Sequence, residues 1–359
     1  MQQGAPAERA GLSDADRELL RDSLRVFLQR RSPPERALAA GASEIALLWR
    51  ELAAQGIASL GADHGGLAEI LLAFEELGRA ACPAPLLGAV SAHLTLGSTP
   101  ACGEAASFLG GIKDASALAA VAYGAFDGDR AAGRVERNSA GRFEGSVSFV
   151  EGAAGATHLL VFTDAPCGAA IVSAAAPGVT VRETPGLAVP SLSQISLRDA
   201  PGVWLPLDLP AVQDAALAAR LCCAARALGA AQRAFELAVD HAKMRRQFGQ
   251  FIGQFQAIQH KLADALVALD GSRLAIAEAA ELYDRGLADW RVLAQAAFAF
   301  AGPALRAVSI QTHRALGAIG YAEEHEAPRH FRRVHADLAR FGGAPRARAE
   351  LADFLLGPL

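Results

Sequence analysis

The chain is poor in several residue types. Its 359 residues include only five cysteines, two methionines, three tryptophans and three tyrosines. The cysteines, Cys82, Cys102, Cys167, Cys222 and Cys223, are odd in number, scattered and without a CxxC pair. That spacing argues against a disulfide framework and against a cysteine-rich zinc site. It fits reduced thiols that pack as small apolar groups in a cytoplasmic protein. Neither sign of charge dominates: Lys and Arg number 34, Asp and Glu 38, for a formal net charge of −4. A nucleic-acid binder would carry a basic excess, so none is expected, although a local basic patch could still meet the phosphates of a small cofactor. No apolar run reaches the length of about 18 residues that a membrane-spanning helix needs. The richest, Val292 to Leu305, is interrupted by Gln295 and Pro303. The N-terminal stretch has no apolar core of signal-peptide length.

What is abundant is small and apolar. Hydrophobic residues make up 52% of the chain and charged residues 20%, enough for a large core. The length suggests two or three domains. The first third reads as helices. Ser13 and Asp16 form a capping-box-like start, and Leu20, Leu24, Phe27 and Leu28 follow on one stripe. The "PPER" stretch at 33–36 breaks it. A second helix over "SEIALLWRELAAQG" ends at Gly56, and a third over "LAEILLAFEELGRAACPAP" ends at Gly78 and the prolines Pro83 and Pro85. The middle changes character. In "GRFEGSVSFV", Phe143, Gly145, Val147 and Phe149 alternate with Glu144, Ser146 and Ser148, the period of a half-buried strand. "THLLVFT", "GAAIVSA" and "VTVRET" read as further strands. Beyond Pro210 longer helices return, with leucines at heptad-like spacing and alanine between them. Two of them are expected near Ala288–Ala301 and Ala304–Leu316. The expected class is α+β, mostly α: an N-terminal helical domain over 1–113, a central β-barrel or sandwich over 114–207, and a C-terminal four-helix bundle over 208–359.

One stretch departs from this plain composition. "MRRQFGQFIGQFQAIQHKLADA", 244–265, interleaves arginines and glutamines with aromatics. Arginine offers a charged fork to phosphate oxygens, phenylalanine a stacking face, and glutamine both a donor and an acceptor. The bland alternative is a solvated arginine pair at a helix C-terminus. Likewise Gly317 and Gly320 could be simple caps, and Phe255 reads as core either way. His325, His330 and His335 recur every five residues and so fall on different helix faces, which argues against a metal site. Cys222 and Cys223 sit in an apolar helix and read as core.

Three stretches together resemble the flavin-dependent acyl-CoA dehydrogenase family: "LWRELAAQGIASLGADHGG…EELGRAACPAP" (48–85), "RRQFGQFIGQFQAIQHKLAD" (245–264) and "RALGAIGYAEEHEAPRHFRR" (314–333). The second follows the family signature almost position for position. The resemblance implies an N-terminal helical domain, a central β domain and a C-terminal four-helix bundle. It also implies FAD as cofactor, an acyl-CoA substrate, electron-transfer flavoprotein as electron acceptor, and a homo- or hetero-oligomer of the dimer-of-dimers kind. By resemblance, Arg245 would meet the FAD pyrophosphate, Gln247 and Phe248 the adenosine end, and Gln256 the adenine. Arg314, Leu316, Gly317 and Ala318 would face the FAD of a neighbouring subunit.

The chain departs from the family where the catalytic carboxylate is expected. In "LARFGGAPR", 338–346, that position falls on Phe341, Gly342 or Gly343. In "LAARL", 217–221, the alternative position is Ala219. None can accept a proton. Glu350 and Asp337 are near in sequence without the spacing. The family's T-E-x-x-A-G-S-D loop and W-[IK]-T-N strand, which face the flavin ring, correspond to "AYGAFDGDRAAGRVE" and "SFVEGAAGATH", with Phe149 standing for the tryptophan. The resemblance therefore implies an acyl-CoA dehydrogenase-like oxidoreductase that could be the base-less subunit of a heteromeric enzyme. Alternatives are a flavin monooxygenase of the same fold and a non-catalytic scaffold.

Overall fold

The computed structural model of the protein describes residues 11–33, 41–97, 103–127, 132–184, 186, 189 and 191–357. Most of the expected break at 33–36, and Cys102, lie outside the described residues. The first helix, α1, spans Asp14–Arg31, and its Ser13 cap accepts from Asp16 N at 3.2 Å. Helices α2 (Ala42–Ala54), α3 (Leu67–Arg79), α4 (Leu86–Leu96) and α5 (Gly103–Lys113) follow. The second ends near Gly56, whose φ of 80° suits glycine. The third does not stop at Gly78 but runs on to Arg79. Gly78 instead marks a crossing with the long helix α6, Leu209–Met244. A methyl group on Gly78 would overlap the Arg226 carbonyl, and one on Gly229 would overlap the Glu75 carbonyl. The two backbones touch there because neither has a side chain to hold them apart.

Eight strands fill the middle: β1 (Ala119–Ala122), β2 (Gly133–Arg137), β3 (Phe143–Glu151), β4 (His158–Asp164), β5 (Cys167–Ser173), β6 (Val179–Glu183), β7 (Leu192–Ala200) and β8 (Val203–Pro206). They form two four-stranded sheets, ordered β1-β4-β5-β8 and β2-β3-β7-β6. Among the described residues no closed barrel forms, which corrects that half of the expectation, because each sheet keeps its own two edge strands. The sheets share a core of Phe143, Val147, Leu159, Val161, Val172 and Ile195. The first sheet is buried on both faces: Leu160 and Phe162 join the helical core while Leu159 and Val161 face the second sheet. Hence "HLLVF" reads as one apolar run rather than an alternation. In β3 the alternation fails at its end. The register with β7 shifts between Val147 and Val150, Phe149 takes φ 62°, and Val150 rather than Phe149 turns inward. The inserted residue is a β-bulge, which a period-of-two reading does not foresee.

After α6 come a two-stranded hairpin, β9 (Arg246–Gln247) and β10 (Gln250–Phe251), and then α7 (Gln256–Asp284), α8 (Trp290–Leu316), α9 (Ala327–Asp337) and α10 (Gly343–Leu356). The two helices expected on either side of Pro303 are one helix, with Pro303 inside it. An internal proline forfeits one backbone hydrogen bond; here burial of Phe298, Leu305 and Val308 on both sides of it holds the helix together. The short α9 and α10 complete the bundle in place of the missing long helix. Trp290–Tyr321 is long and apolar enough to cross a membrane by length and composition. Its Trp290, Phe298, Leu305 and Val308 lie in the same core cluster as Leu221, Leu228 and Leu269 of α6 and α7, the environment of a core helix.

Candidate active site and cofactor segments

The two segments assigned to the distal half of a flavin come together at one end of the bundle. Ala238 of α6, Ala315 and Leu316 of α8 and Ala327 of α9 form a small apolar cluster, against which Leu262 of α7 packs. This cluster ties the hairpin end of α6–α7 to the C-terminus of α8. Leu316 points into it and is buried, so unlike its neighbours it presents no surface to a ligand. Arg314, Gly317 and Ala318 are exposed beside it. Gly317 has φ 64° and ψ −140°, a conformation that is essentially glycine's alone.

The hairpin turns through Phe248 and Gly249, with φ of 52° and 83°, the signature of a tight two-residue hairpin turn. The turn lifts Phe248 out to 91% exposure, with its ring edge-on to Phe255 at 6.1 Å. The two neighbouring arginines differ. Arg246 folds back on the hairpin, its guanidinium 4.9 Å from the Phe251 ring and bonded to the Gly249 carbonyl at 3.2 Å. Arg245 is exposed, caps α6 through its backbone alone, and its guanidinium has no partner among the described residues. Gln247 and Gln256 are exposed as well. Gln247 donates from Nε2 to the Arg246 carbonyl at 2.7 Å, which leaves its Oε1 open. A free guanidinium, a presented aromatic face, the open Gln256 amide and the Gln247 carbonyl oxygen on one end of the bundle fit a phosphate- and base-bearing cofactor.

The positions assigned to the catalytic carboxylate also converge. Ala219 is buried on α6, and the adjacent Arg220 donates from Nη2 to the Phe341 carbonyl at 3.0 Å, one residue before Gly342. Gly342 precedes α10 as its N-cap with φ 74°, and a Cβ there would lie 2.7 Å from Arg346 Cδ. A cavity of about 420 Å³ opens beside this contact, between α6, α8 and α10. Its carboxylates are Asp214 and Glu350. Glu350 accepts from Arg220 Nη1 at 2.8 Å and is also paired with Arg346. Burial works to raise its pKa, but the two arginines outweigh burial and hold it below the ordinary carboxylate range. A carboxylate so stabilised as an anion is a poor proton acceptor. Asp214 is gripped by Arg291 at 2.6 Å through both oxygens, with burial pushing its pKa up. Asp337, the other acid noted in the sequence, is spent on Arg226.

The segments assigned to the flavin ring hold something the sequence reading missed. Glu151, two residues after Phe149, lies in a solvent-free ion cluster. Arg226 reaches it with both terminal nitrogens at 2.7 Å, and Arg340 Nη1 reaches it at 2.7 Å. Arg226 also bonds both oxygens of Asp337, at 2.9 and 2.6 Å. From the other segment, Asp127 accepts the Phe341 N–H at 2.7 Å. Burial would raise the pKa of Glu151, but Arg226, Arg340 and Arg333 drive it down to about 2. Phe149 itself turns outward in the bulge. Among the described residues of these segments, the carboxylates of Glu151 and Asp127 are engaged within the chain and not presented to a flavin ring. A signal was available: Arg226 stands inside "LCCAARALGAA", where a lone charge in an apolar helix demands a buried partner.

Comparison with known proteins settles the family. Residues 209–346 match the family model described as "Acyl-CoA dehydrogenase, C-terminal domain". The acyl-CoA dehydrogenase IpdE2 of Mycolicibacterium smegmatis is 31% identical over 343 residues, 92% of this chain and 96% of that relative. The chain belongs to the acyl-CoA dehydrogenase family. That family is one of oxidoreductases, and it includes the human mitochondrial short-chain specific acyl-CoA dehydrogenase, 37% identical over 137 residues, 38% of this chain and 33% of that protein. Among solved acyl-CoA dehydrogenases, a variant of the Tcur3481-Tcur3483 steroid enzyme superposes with a TM-score of 0.85 at 26% identity, covering 95% of this chain and 98% of the other. Butyryl-CoA dehydrogenase from Megasphaera elsdenii shares the fold, with a TM-score of 0.83 at 22% identity over 97% of this chain and 99% of the other.

Proposed function

We propose that this chain is the base-less subunit of a heteromeric, FAD-dependent acyl-CoA dehydrogenase. The observation that carries this reading is the contact between Arg220 and Phe341. It joins the two family positions for the catalytic carboxylate, and this chain has Ala219 and Gly342 there. In α,β-dehydrogenation a proton leaves the carbon next to the thioester for a carboxylate, and a hydride leaves the β-carbon. When bound, FAD supplies the hydride acceptor, with electron-transfer flavoprotein as the onward acceptor. The carboxylate would come from a partner chain.

Arg245 would hold the pyrophosphate, Gln247 and Phe248 the adenosine end, and Gln256 the adenine. The exposed Arg314, Gly317 and Ala318 would border the same ligand. The ion cluster around Glu151 supports a flavin ring housed in the partner rather than in this chain. The likeness to an enzyme named for two proteins, Tcur3481-Tcur3483, supports a paired assembly. The test is the flavin content of the purified chain, read from its visible absorbance after denaturation. No flavin alone, and about one FAD per pair after co-expression with a base-carrying dehydrogenase subunit, is the expected result. One FAD per chain in the isolated protein would overturn the reading.

A further inference from the structure

We infer that the cavity between α6, α8 and α10 is a binding site for a small organic anion, a carboxylate carried on a compact apolar body. The inference goes beyond the proposed function and stands without the flavin. At about 420 Å³ the cavity has the size of a small-molecule site. Part of the lining is charged. Arg220, Arg291 and Arg346 face it together with Asp214 and Glu350. Three guanidinium groups against two carboxylates leave one positive charge in surplus.

The surplus can be located. Arg291 is spent on Asp214 through a two-bond fork. Arg220 is spent on Gln295 at 2.5 Å, Glu350 at 2.8 Å and the Phe341 carbonyl at 3.0 Å. Arg346 bonds Glu350 through Nε alone, and its side chain is 42% exposed. Its two terminal nitrogens have no partner among the described residues, which is the geometry that accepts a carboxylate or phosphate in a fork. Apolar groups line the same cavity beside the charged ones: Phe126, Leu217, Val292, Leu351 and Phe354. A straight alkyl chain would leave the Arg346 fork without a partner. A charged molecule with no apolar body would leave the apolar lining wet. A carboxylate on a compact hydrocarbon satisfies both.

The ligand could arrive as a free acid or as an acyl-CoA bearing a second carboxylate. The experiment is isothermal titration of the full chain, in the assembly in which it purifies, with adamantane-1-carboxylate and with the isosteric adamantane-1-carboxamide. Succinyl-CoA and butyryl-CoA serve as competitors. The acid is expected to bind about tenfold or more tighter than the amide, the margin of a charge-assisted fork. Arg346→Gln is expected to abolish that preference, and Leu217→Trp to weaken both ligands by filling the cavity. Displacement by succinyl-CoA and not by butyryl-CoA would identify the thioester as the source, and displacement by neither would identify the free acid. Equal affinity for acid and amide overturns the inference, as does no binding of either at a Kd of about 1 mM, or an unchanged preference in Arg346→Gln. These outcomes are independent of flavin content, so this inference and the proposed function can fail separately.

Discussion

Arg226 holds Glu151 with both terminal nitrogens at 2.7 Å, and water reaches neither side chain. Removing one partner of a buried pair leaves the other's charge uncompensated, at a cost of about 3–5 kcal/mol. Glu151→Gln is therefore expected to lower stability by about that amount in urea denaturation. The double variant Glu151→Gln with Arg226→Met is expected to lose less than the sum of the two single changes, because residues in contact are not additive.

The same carboxylate gives the chain an acid limit. Its folded pKa is depressed from an ordinary 4.5 to about 2. A depressed carboxylate contributes stability that is complete above its unfolded pKa and is lost as pH falls toward the folded one. Glu326, also held at about 2 against the effect of burial by His330 and Arg233, adds to the same window. The urea midpoint is expected to fall steeply between about pH 4.5 and 2. Glu151→Gln is expected to flatten that slope while starting from a lower plateau.

The crossing of α3 and α6 has no room for a methyl group at either glycine. Gly78→Ala is expected to destabilise by about 3 kcal/mol, the upper end of the usual cost of overpacking. Gly110→Ala is the control. Gly110 lies in α5, with open space where its Cβ would be. There alanine's better helix propensity is expected to add about 0.5–1 kcal/mol. Thermal melts of the two variants should move in opposite directions.

At the hairpin, two adjacent arginines are expected to behave differently. Arg245→Ala should strip flavin from the co-purified complex, because its guanidinium is unengaged within the chain. Arg246→Ala should leave flavin content nearly unchanged, because that side chain is spent on Phe251 and Gly249. Absorbance of the released flavin, per mole of complex, separates the two.

Putting a glutamate back is not expected to create a self-sufficient enzyme. At Gly342 the backbone sits at φ 74°, which costs a residue with a side chain about 1–2 kcal/mol, and the Arg346 side chain occupies the space ahead of it. Gly342→Glu in the isolated chain is expected to show no acyl-CoA-dependent dye reduction and a lower melting temperature.

Much of this was legible in the sequence, and the gaps have specific causes. Periodicity and caps located α1, α2 and β4 to β6 because those elements obey local rules: Ser13 caps, and Leu24 and Leu28 share a face. Gly78 was misread because a glycine that permits close helix contact and one that ends a helix look alike without the partner's position. Pro303 was read as a break because its cost is local, while the burial that outweighs it is tertiary. Phe149 was assigned inward because a bulge shifts the register by one residue without a mark in the composition. The hairpin motif was visible from its residue types. The Glu151 cluster was not, because its members, at 151, 226, 337 and 340, meet only after the sheets and the bundle have docked.

That last point bears on how the chain can be divided. Glu151 belongs to the sheet region, while Arg226, Asp337 and Arg340 belong to the helical half. Alone, the sheet region would bury Glu151 with no counter-ion, and the helical half would keep only Asp337 against Arg226 and Arg340. The lock between them is expected to make the sheets and the bundle melt together, and a cut through the stretch between β8 and α6 is expected to leave Glu151 hydrated on one fragment and Arg340 without it on the other.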